Sequence, residues 1–270
     1  MTKLTTLLVD ADQIFYQHTS AHQYEQSIDH TGDHWLFEGD TYLITDVAAA
    51  RLAITRNLEN LSYGYDDVIL CFTSTPNFRH SVYSPYKGGR LKKRKPVGYW
   101  DLIVDFEQSP RWQTKKIPGL EADDVMSILA THPKHLATSD MYIYSQDKDM
   151  LQVPVTPIFR GGVTAMSTDA EANHFRWTQT LTGDATDGYP GLKGYGPKKA
   201  DAYLDEFIGQ PEDVYESAVV SAYLDAGFTA EYAYSQINCA LILRAHEYDF
   251  KNKQPKLRGM KDAETDTKKN

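Results

Sequence analysis

The sequence has little cysteine, no long apolar run and no histidine spacing typical of a metal site. Its two cysteines, Cys71 and Cys239, lie in apolar stretches, so we expect buried reduced thiols rather than a disulfide or a zinc site. No segment approaches the roughly 18 apolar residues of a membrane helix, and residues 1–8 lack the features of a signal peptide. We therefore expect a cytoplasmic protein with no membrane partner.

What the chain does contain is eight carboxylates in four short clusters, each where a strand or helix is expected to end. Gathered like charges repel one another and raise each other's pKa, so a fold that brings them together needs divalent cations between them. Setting these eight aside leaves 29 of the 37 acidic residues against 28 basic ones, so the net charge of -9 does not exclude a polyanionic partner. The eight are Asp10, Glu121, Asp123, Asp124, Asp147, Asp149, Asp184 and Asp187.

Basic residues concentrate elsewhere, in a segment rich in proline and glycine at residues 74–98. Such a composition predicts a projecting, mobile segment rather than a core element. Six cations fall within nine residues, and they are Lys87, Arg90, Lys92, Lys93, Arg94 and Lys95.

Apolar periodicity predicts an α/β fold with a central, mostly parallel sheet flanked by helices. Buried strands are expected at 5–10, 67–73 and 141–147, and amphipathic helices at 47–61, behind Thr45 as N-cap, and at 119–131. Residues 20–42 show weak periodicity and are interpreted as a surface insertion of unknown purpose. Acids at the carboxyl ends of parallel strands indicate a site at one edge of the sheet.

Residues 183–204, GDATDGYPGLKGYGPKKADAYL, match a helix-hairpin-helix DNA-binding element. Gly191, Gly194 and Gly196 would let backbone N–H groups approach a phosphate, and Lys198 and Lys199 add charge beside the turn. The alternative is a glycine loop between two packed helices.

Together these stretches resemble the 5' nuclease superfamily: flap endonucleases, the 5' nuclease domain of bacterial DNA polymerase I, and above all phage-type 5'-to-3' exonucleases. LLVDAD, NFRHSVYSPYKGGRLKKRKPVGY, GLEADDVM, SQDKDMLQ and LTGDATDGYPGLKGYGPKKA occur in the family's order across residues 5–205. The resemblance implies a PIN-like catalytic domain at 1–173 with a helical arch at about 79–108. It further implies a helical region at 174–250 containing the helix-hairpin-helix (H3TH) motif, and a frayed polar tail at 251–270.

The resemblance also implies roles for individual residues. Lys87 and Arg90 would contact the scissile phosphate at the base of the arch, Tyr86 would stack on a nucleotide, and Arg79 would contact a further phosphate. The basic arch would admit a single-stranded 5' end. Asp10, Glu121, Asp123 and Asp124 would gather one metal ion, whereas Asp147, Asp149, Asp184 and Asp187 would hold a second or position its waters.

The implied activity is metal-dependent 5'-to-3' exonuclease or structure-specific 5' flap endonuclease cleavage of DNA, in phage-type replication, primer removal or recombination. Two Mg²⁺ ions, replaceable by Mn²⁺, would act at the acids, and a potassium ion would bridge the glycine turn and a phosphate. The expected partners are DNA with 5' ends, nicks, gaps or flaps, bound by a monomer in the host cytoplasm if the chain is phage-encoded. Activity on RNA·DNA hybrids is left open.

One position departs from the family pattern. An acid usually ends the second strand, where this chain has Thr73, Ser74 and Thr75. Either a hydroxyl holds a water on the metal there, or Asp12 compensates, or metal affinity is reduced. The gap also leaves open a non-catalytic DNA-structure-binding protein of the same fold.

The second alternative is a phosphatase of the haloacid-dehalogenase type, suggested by DAD after a strand and GDATD late in the chain. That class spaces its late acids four residues apart, whereas Asp184 and Asp187 are three apart. It also leaves the glycine turn unexplained.

Overall fold

The computed structural model describes residues 3–27, 41–89 and 94–259. Its centre is a six-stranded sheet in the order β5-β4-β1-β6-β7-β8, in which all neighbours are parallel except β7 and β8. This confirms the predicted α/β class and mostly parallel sheet. The six strands are β1 (Leu4–Asp10), β4 (Asp67–Phe72), β5 (Gln113–Lys116), β6 (Ser139–Tyr144), β7 (Ile158–Arg160) and β8 (Val163–Ala165).

Alternation along β1 divides the core between the two faces of the sheet. Leu8 packs on one face with Val125 and Ile128 of a helix, whereas Leu7 and Val9 pack on the other face. Because successive strand residues point to opposite faces, a fully buried central strand is apolar at every one of these positions.

The helices cover both faces and then form a helical region of their own. In chain order they are α1 (Ala11–Ala21), α2 (Val47–Ser62), α3 (Arg79–Val82), α4 (Tyr99–Gln108), α5 (Ala122–Thr131), α6 (Pro133–Thr138), α7 (Asp169–Thr182), α8 (Pro197–Leu204), α9 (Glu212–Asp225) and α10 (Ala230–Ala240). Short 3-10 helices lie at Lys148–Gln152, Asp205–Phe207 and Ala245–Glu247.

The predicted amphipathic helix at 47–61 is present as α2, but its N-cap was assigned one residue too early. Asp46, not Thr45, caps it, because the Asp46 carboxylate accepts a hydrogen bond of 2.9 Å from the Ala49 N–H. Ala50, Ile54 and Leu58 are fully buried on its inner face.

Residues 20–42, interpreted as a surface insertion with weak periodicity, contain regular structure at both ends. Strands β2 (Gln23–Ser27) and β3 (Thr41–Thr45) pair in antiparallel register and form a separate ribbon. The ribbon contacts the end of the basic segment, where the Val97 N–H donates to Gln23 Oε1 at 2.9 Å. Residues 28–40 lie outside the described part of the chain.

The helical region differs from its expected limits at both ends. The expected boundary at residue 174 falls inside α7, and helix ends at Ala240 rather than near 250. Of the tail expected to fray, residues 251–259 are described, and Arg258 there is anchored to Glu212, Glu216 and Glu247. The short strands β9 (Tyr248–Asp249) and β10 (Gln254–Pro255) pair across the expected boundary between the helical region and the tail.

Both cysteines are buried free thiols, as predicted. Across residues 3–27, 41–89 and 94–259, no helix combines the length and the apolar character that crossing a membrane requires.

Candidate metal centre

Strands β1 and β6 deliver carboxylates to one edge of the sheet. Asp10 is the last residue of β1, and it caps α1 by accepting from the Gln13 N–H at 3.3 Å. Ser145 follows β6, and its hydroxyl donates to Asp10 at 3.1 Å while accepting from the Asp147 N–H at 3.1 Å. One serine therefore ties the carboxylate at the end of β1 to the loop after β6.

Helix α5 brings further acids to the same edge from its N-terminus. Glu121 is the N-cap residue and Asp123 lies in the first turn, where negative charge also suits the helix dipole. A cavity of about 20 Å³ opens between these elements and the helical region, room for roughly one water molecule. Its carboxylate lining is Glu121, Asp123, Asp147, Asp149 and Asp187.

Four aspartates at this edge of the sheet form what we call the aspartate cluster. They are Asp10 and the cavity-lining residues Asp123, Asp147 and Asp149. Burial, followed by the charge of Asp12, raises the pKa of Asp10 to about 7. Burial, followed by Asp147, raises the pKa of Asp149 to about 6. Burial, followed by Asp10 and Asp147, raises the pKa of Asp123 well above its ordinary value.

Within the described ranges, no lysine or arginine nitrogen lies within 4 Å of the aspartate cluster. Repelling carboxylates with raised pKa values and an all-oxygen donor set are the chemistry that a hard divalent cation stabilises. The residues present therefore fit a divalent metal.

Asp124 does not belong to this group, which corrects its expected role as a metal ligand. It is fully buried, and its two oxygens accept from the Arg79 guanidinium at 2.6 and 2.8 Å. It also accepts from the Leu243 N–H at 3.0 Å. Its oxygens are thus engaged in joining the sheet to the chain after α10.

Arg79 is corrected for the same reason. Its side chain is 3% exposed, and besides Asp124 it donates to the carbonyls of Cys239 and Leu241. A guanidinium enclosed in this way cannot reach a phosphate, so Arg79 stabilises the fold instead of binding DNA.

Tyr86 also faces inward, contrary to its expected role as a stacking platform. It is 2% exposed, its ring stacks on Tyr189, and its hydroxyl donates to Glu121 at 2.9 Å. We therefore correct its role: Tyr86 positions Glu121.

Lys87 lies where a cationic residue was predicted, at the edge of the acids. Its ammonium is 2.5 Å from Glu121 and 3.6 Å from Asp187, and its backbone, at φ +51°, donates to the Asp187 carbonyl at 2.6 Å. Burial alone would raise the pKa of Glu121, but Lys87 and Arg79 lower it to about 2. Glu121 is therefore an ionised carboxylate that already has cations beside it.

The turn after α7 carries the last two acids. Asp184 accepts from the Thr186 and Asp187 N–H groups at 2.7 and 3.2 Å, which closes the turn. From α7 itself, Gln179 donates to Asp149 at 2.6 Å. Asp187 lies in the cavity wall, whereas Asp184 is not part of that wall and contributes charge near Asp149.

The three glycines of the predicted hairpin divide into one buried and two open positions. Gly191 is buried at φ +64°, a Cβ there would lie 2.3 Å from the Gly183 nitrogen, and its own N–H donates to Gln236. Its N–H is therefore taken, which corrects its expected phosphate contact. Gly194 and Gly196 are exposed with open space around them.

The lysines beyond this turn are exposed, and Lys199 lies over the Tyr195 ring with its ammonium 4.0 Å from the centroid. Of the basic segment, Arg90, Lys92 and Lys93 lie outside the described residues. Arg94 and Lys95 are exposed, and the Lys95 ammonium is 4.6 Å from the Tyr99 ring centroid.

Sequence reasoning missed the neutral residues that orient the acids. Ser145, Gln179 and Asn77, which donates to Glu121 at 2.9 Å, carry no charge pattern that would have marked them. Of the three, only Ser145 lies next to the predicted acids in the sequence, two residues before Asp147. Sequence proximity could therefore have indicated Ser145 but not Gln179 or Asn77.

The family model for the 5'-3' exonuclease N-terminal resolvase-like domain matches residues 5–176. Among curated proteins, an exonuclease of Escherichia phage T7 is 26% identical over 92% of this chain and 91% of its own length. An exodeoxyribonuclease of Enterobacteria phage T3 is 26% identical over 92% of this chain and 90% of its own.

Solved structures give the same fold. A bacteriophage T5 protein crystallised with metal ions superposes with a TM-score of 0.64 at 14% identity, over 87% of this chain and 89% of that one. A bacteriophage T5 flap endonuclease in a complex with DNA and metal ions superposes with a TM-score of 0.57 at 17% identity, over 87% and 88% of the two chains.

Proposed function

Because this chain belongs to the family of 5'-3' exonucleases, we propose that it hydrolyses DNA phosphodiesters from 5' ends, with divalent metal at the aspartate cluster. The observation that carries the proposal is the convergence of four aspartates at one edge of the sheet, where burial and neighbouring carboxylates raise the pKa values of Asp10, Asp123 and Asp149. Family membership excludes the haloacid-dehalogenase alternative.

The metal is best supplied as Mg²⁺, since carboxylate oxygens select hard cations, with Mn²⁺ as substitute. Asp10, Asp123 and Asp147 would hold one ion on the side of the sheet. Asp149 and Asp187 would hold a second ion on the side of the helical region. When bound, two such ions activate the attacking water and stabilise the leaving oxygen of an in-line displacement. The products would be a 5'-phosphate and a 3'-hydroxyl.

The protein's own contribution begins with Lys87. Its ammonium is held by Glu121, which lines the cavity, and its backbone N–H donates to the Asp187 carbonyl. A cation fixed there would offset the negative charge that grows on the phosphate in the transition state. Arg90, three residues on, is proposed to act beside it.

DNA would be held at two places outside the acids. The open turn at Gly194 and Gly196, followed by Lys198 and Lys199 on α8, is proposed to bind one strand of duplex as an H3TH element, with a bridging potassium ion. The basic segment, with Lys92, Lys93, Arg94 and Lys95, is proposed to receive the 5' single strand. Both assignments rest on exposure and charge at the described positions.

The test is release of product from DNA labelled at the 5' end, using nicked, blunt and 5'-flap duplexes in Mg²⁺ and in EDTA. We expect labelled mononucleotides or short flaps in Mg²⁺ only, and none from the Asp123→Asn variant. Duplex binding without cleavage in Mg²⁺ would instead support a non-catalytic DNA-structure-binding protein. Product ratios from the three substrates separate exonuclease from flap endonuclease action.

The duplex anchor is tested with Gly196→Val. Gly196 has φ -73° and open space around it, so the substitution should not strain the fold. A side chain there would keep a phosphate from the N-terminus of α8, reducing duplex affinity and lowering the salt slope by about one contact. Gly191→Ala is the contrasting variant, expected to destabilise the fold. Normal duplex affinity with an unchanged slope in Gly196→Val would make this turn a packing element.

A further inference from the structure

One of the three adjacent strands at the metal-binding edge carries no carboxylate. Strand β1 ends in Asp10, and the loop after β6 supplies Asp147, but β4 continues into Thr73, Ser74 and Thr75. These strands are parallel neighbours, with Asp10 in register with Cys71 of β4. Their carboxyl ends therefore meet at the same edge, and the acid cluster is open on the β4 side.

Asp12 fills this position from the first turn of α1. Its Oδ2 accepts from the Thr73 N–H at 2.9 Å, so the carboxylate lies directly at the end of β4. Its Oδ1 accepts from the Tyr99 hydroxyl at 3.2 Å. Each carboxylate oxygen has two lone-pair sites, so both oxygens retain capacity for a further partner.

The Asp12 carboxylate also lies near the start of the aspartate cluster along the chain. It is half-buried, in the first turn of α1, two residues after Asp10, which caps that helix. Within the described part of the chain, no lysine or arginine nitrogen lies within 4 Å of it. Asp12 thus adds negative charge to the site without bringing a cation with it.

We propose that Asp12 supplies the carboxylate missing from the end of β4 and takes part in divalent-metal binding beside Asp10, an inference that rests on the proposed function of the aspartate cluster. The competing role is structural: Asp12 would merely fasten Thr73 to Tyr99. The two roles are separable because asparagine keeps an acceptor oxygen but loses the charge.

The test measures Mn²⁺ binding to the full chain without DNA, from the electron paramagnetic resonance signal of free Mn²⁺. For Asp12→Asn we expect affinity to weaken about ten- to hundredfold, the range found when groups supporting a metal site are changed. Tyr99→Phe is the matched control, since it removes the hydrogen bond to Asp12 and leaves the charge. Its Mn²⁺ affinity should match that of wild type.

Asp123→Asn provides the reference for the metal centre itself. Wild-type affinity in Asp12→Asn, with weakened binding in Asp123→Asn, would overturn the inference while leaving the proposed function intact. Unchanged binding in both would overturn the metal centre. An equal loss in Tyr99→Phe and Asp12→Asn would make Asp12 a structural bracket. Should Asp12→Asn not fold, Asp12→Ser, which keeps a hydroxyl acceptor, takes its place with the same expected loss.

Discussion

Two clusters of carboxylates in this molecule have opposite electrostatic character. The first is the aspartate cluster. The second, which we call the arginine network, lies in the helical region and consists of Arg176, Arg244, Arg258, Glu212, Glu216 and Glu247. In the network each glutamate lies within 3.0 Å of at least one guanidinium nitrogen.

The pKa values show the consequence. Burial would raise the pKa of Glu247, yet Arg176 and Arg258 lower it to about 2, whereas Asp10 has a pKa of about 7. Carboxylates that are paired with the chain's own cations stabilise the fold. Carboxylates that repel one another are instead stabilised by binding a cation that the chain does not supply. The pair Asp124 and Arg79 belongs to the balanced kind, although it lies one residue from Asp123.

The largest expected effect is on the unbalanced side. Asp123→Asn should lower cleavage at least about a thousandfold, or about 4 kcal/mol in activation free energy, because it removes a proposed metal ligand. The metal-free variant should unfold at the same temperature as wild type or higher, since a repulsive charge is lost. Single-turnover cleavage and thermal melts in EDTA check both parts. Strong destabilisation would place Asp123 with the structural acids.

The balanced side should respond in the opposite way. Glu247→Gln should cost about 3 kcal/mol of unfolding free energy, because it leaves enclosed arginines without their counter-charge. Mn²⁺ affinity of the folded variant should not change. Urea unfolding gives the first quantity and metal titration the second. A variant with normal stability but weakened metal binding would reverse the assignment of the two clusters.

Lys87 belongs to neither cluster, since its ammonium balances the charge of Glu121, a residue that lines the cavity. Lys87→Ala should reduce single-turnover cleavage about a hundredfold while changing DNA affinity only severalfold. Lys198→Ala is the matched control, expected to weaken duplex binding and its salt slope and to spare the rate. A Lys87 variant that loses affinity alone would reduce Lys87 to a general phosphate contact.

The smallest expected effect is a dependence of metal-free stability on pH. Asp10 and Asp149 have pKa values of about 7 and 6, above the ordinary aspartate value, so the folded state binds more protons than the unfolded state. Their contribution is present below about pH 4 and is lost as pH rises through 6 to 7. In EDTA, unfolding free energy should therefore fall as pH rises from about 5 to about 8.

Saturating Mg²⁺ should abolish this loss, because bound metal favours the ionised carboxylates. Asp10→Asn serves as the control, since the variant keeps every histidine and loses the Asp10 carboxylate. Glu247, with its pKa near 2, contributes nothing in this range. Identical pH profiles for wild type and Asp10→Asn in EDTA would contradict the raised pKa of Asp10.

The sequence by itself determined three of the six sheet strands, helices α2 and α5, and where the acids follow the strands, since these depend on local regularities. Buried apolar runs marked β1, β4 and β6, helical spacing marked α2 and α5, and a carboxylate after a buried parallel strand marked the edge. Such features depend on residues a few positions apart, which is why they were predictable, as were the buried thiols of Cys71 and Cys239.

Only the tertiary structure decided which charges are balanced. Asp123 and Asp124 are neighbours with the same chemistry, and one faces the cavity while the other meets Arg79, 45 residues away along the chain. Long-range contacts also decide three other roles. The Tyr86 hydroxyl donates to Glu121, the Gly191 N–H donates to Gln236, and Asp12 accepts from the Thr73 N–H at the end of β4. The pKa of a carboxylate depends on charges within a few ångströms in space, and long-range packing, not sequence spacing, places those charges.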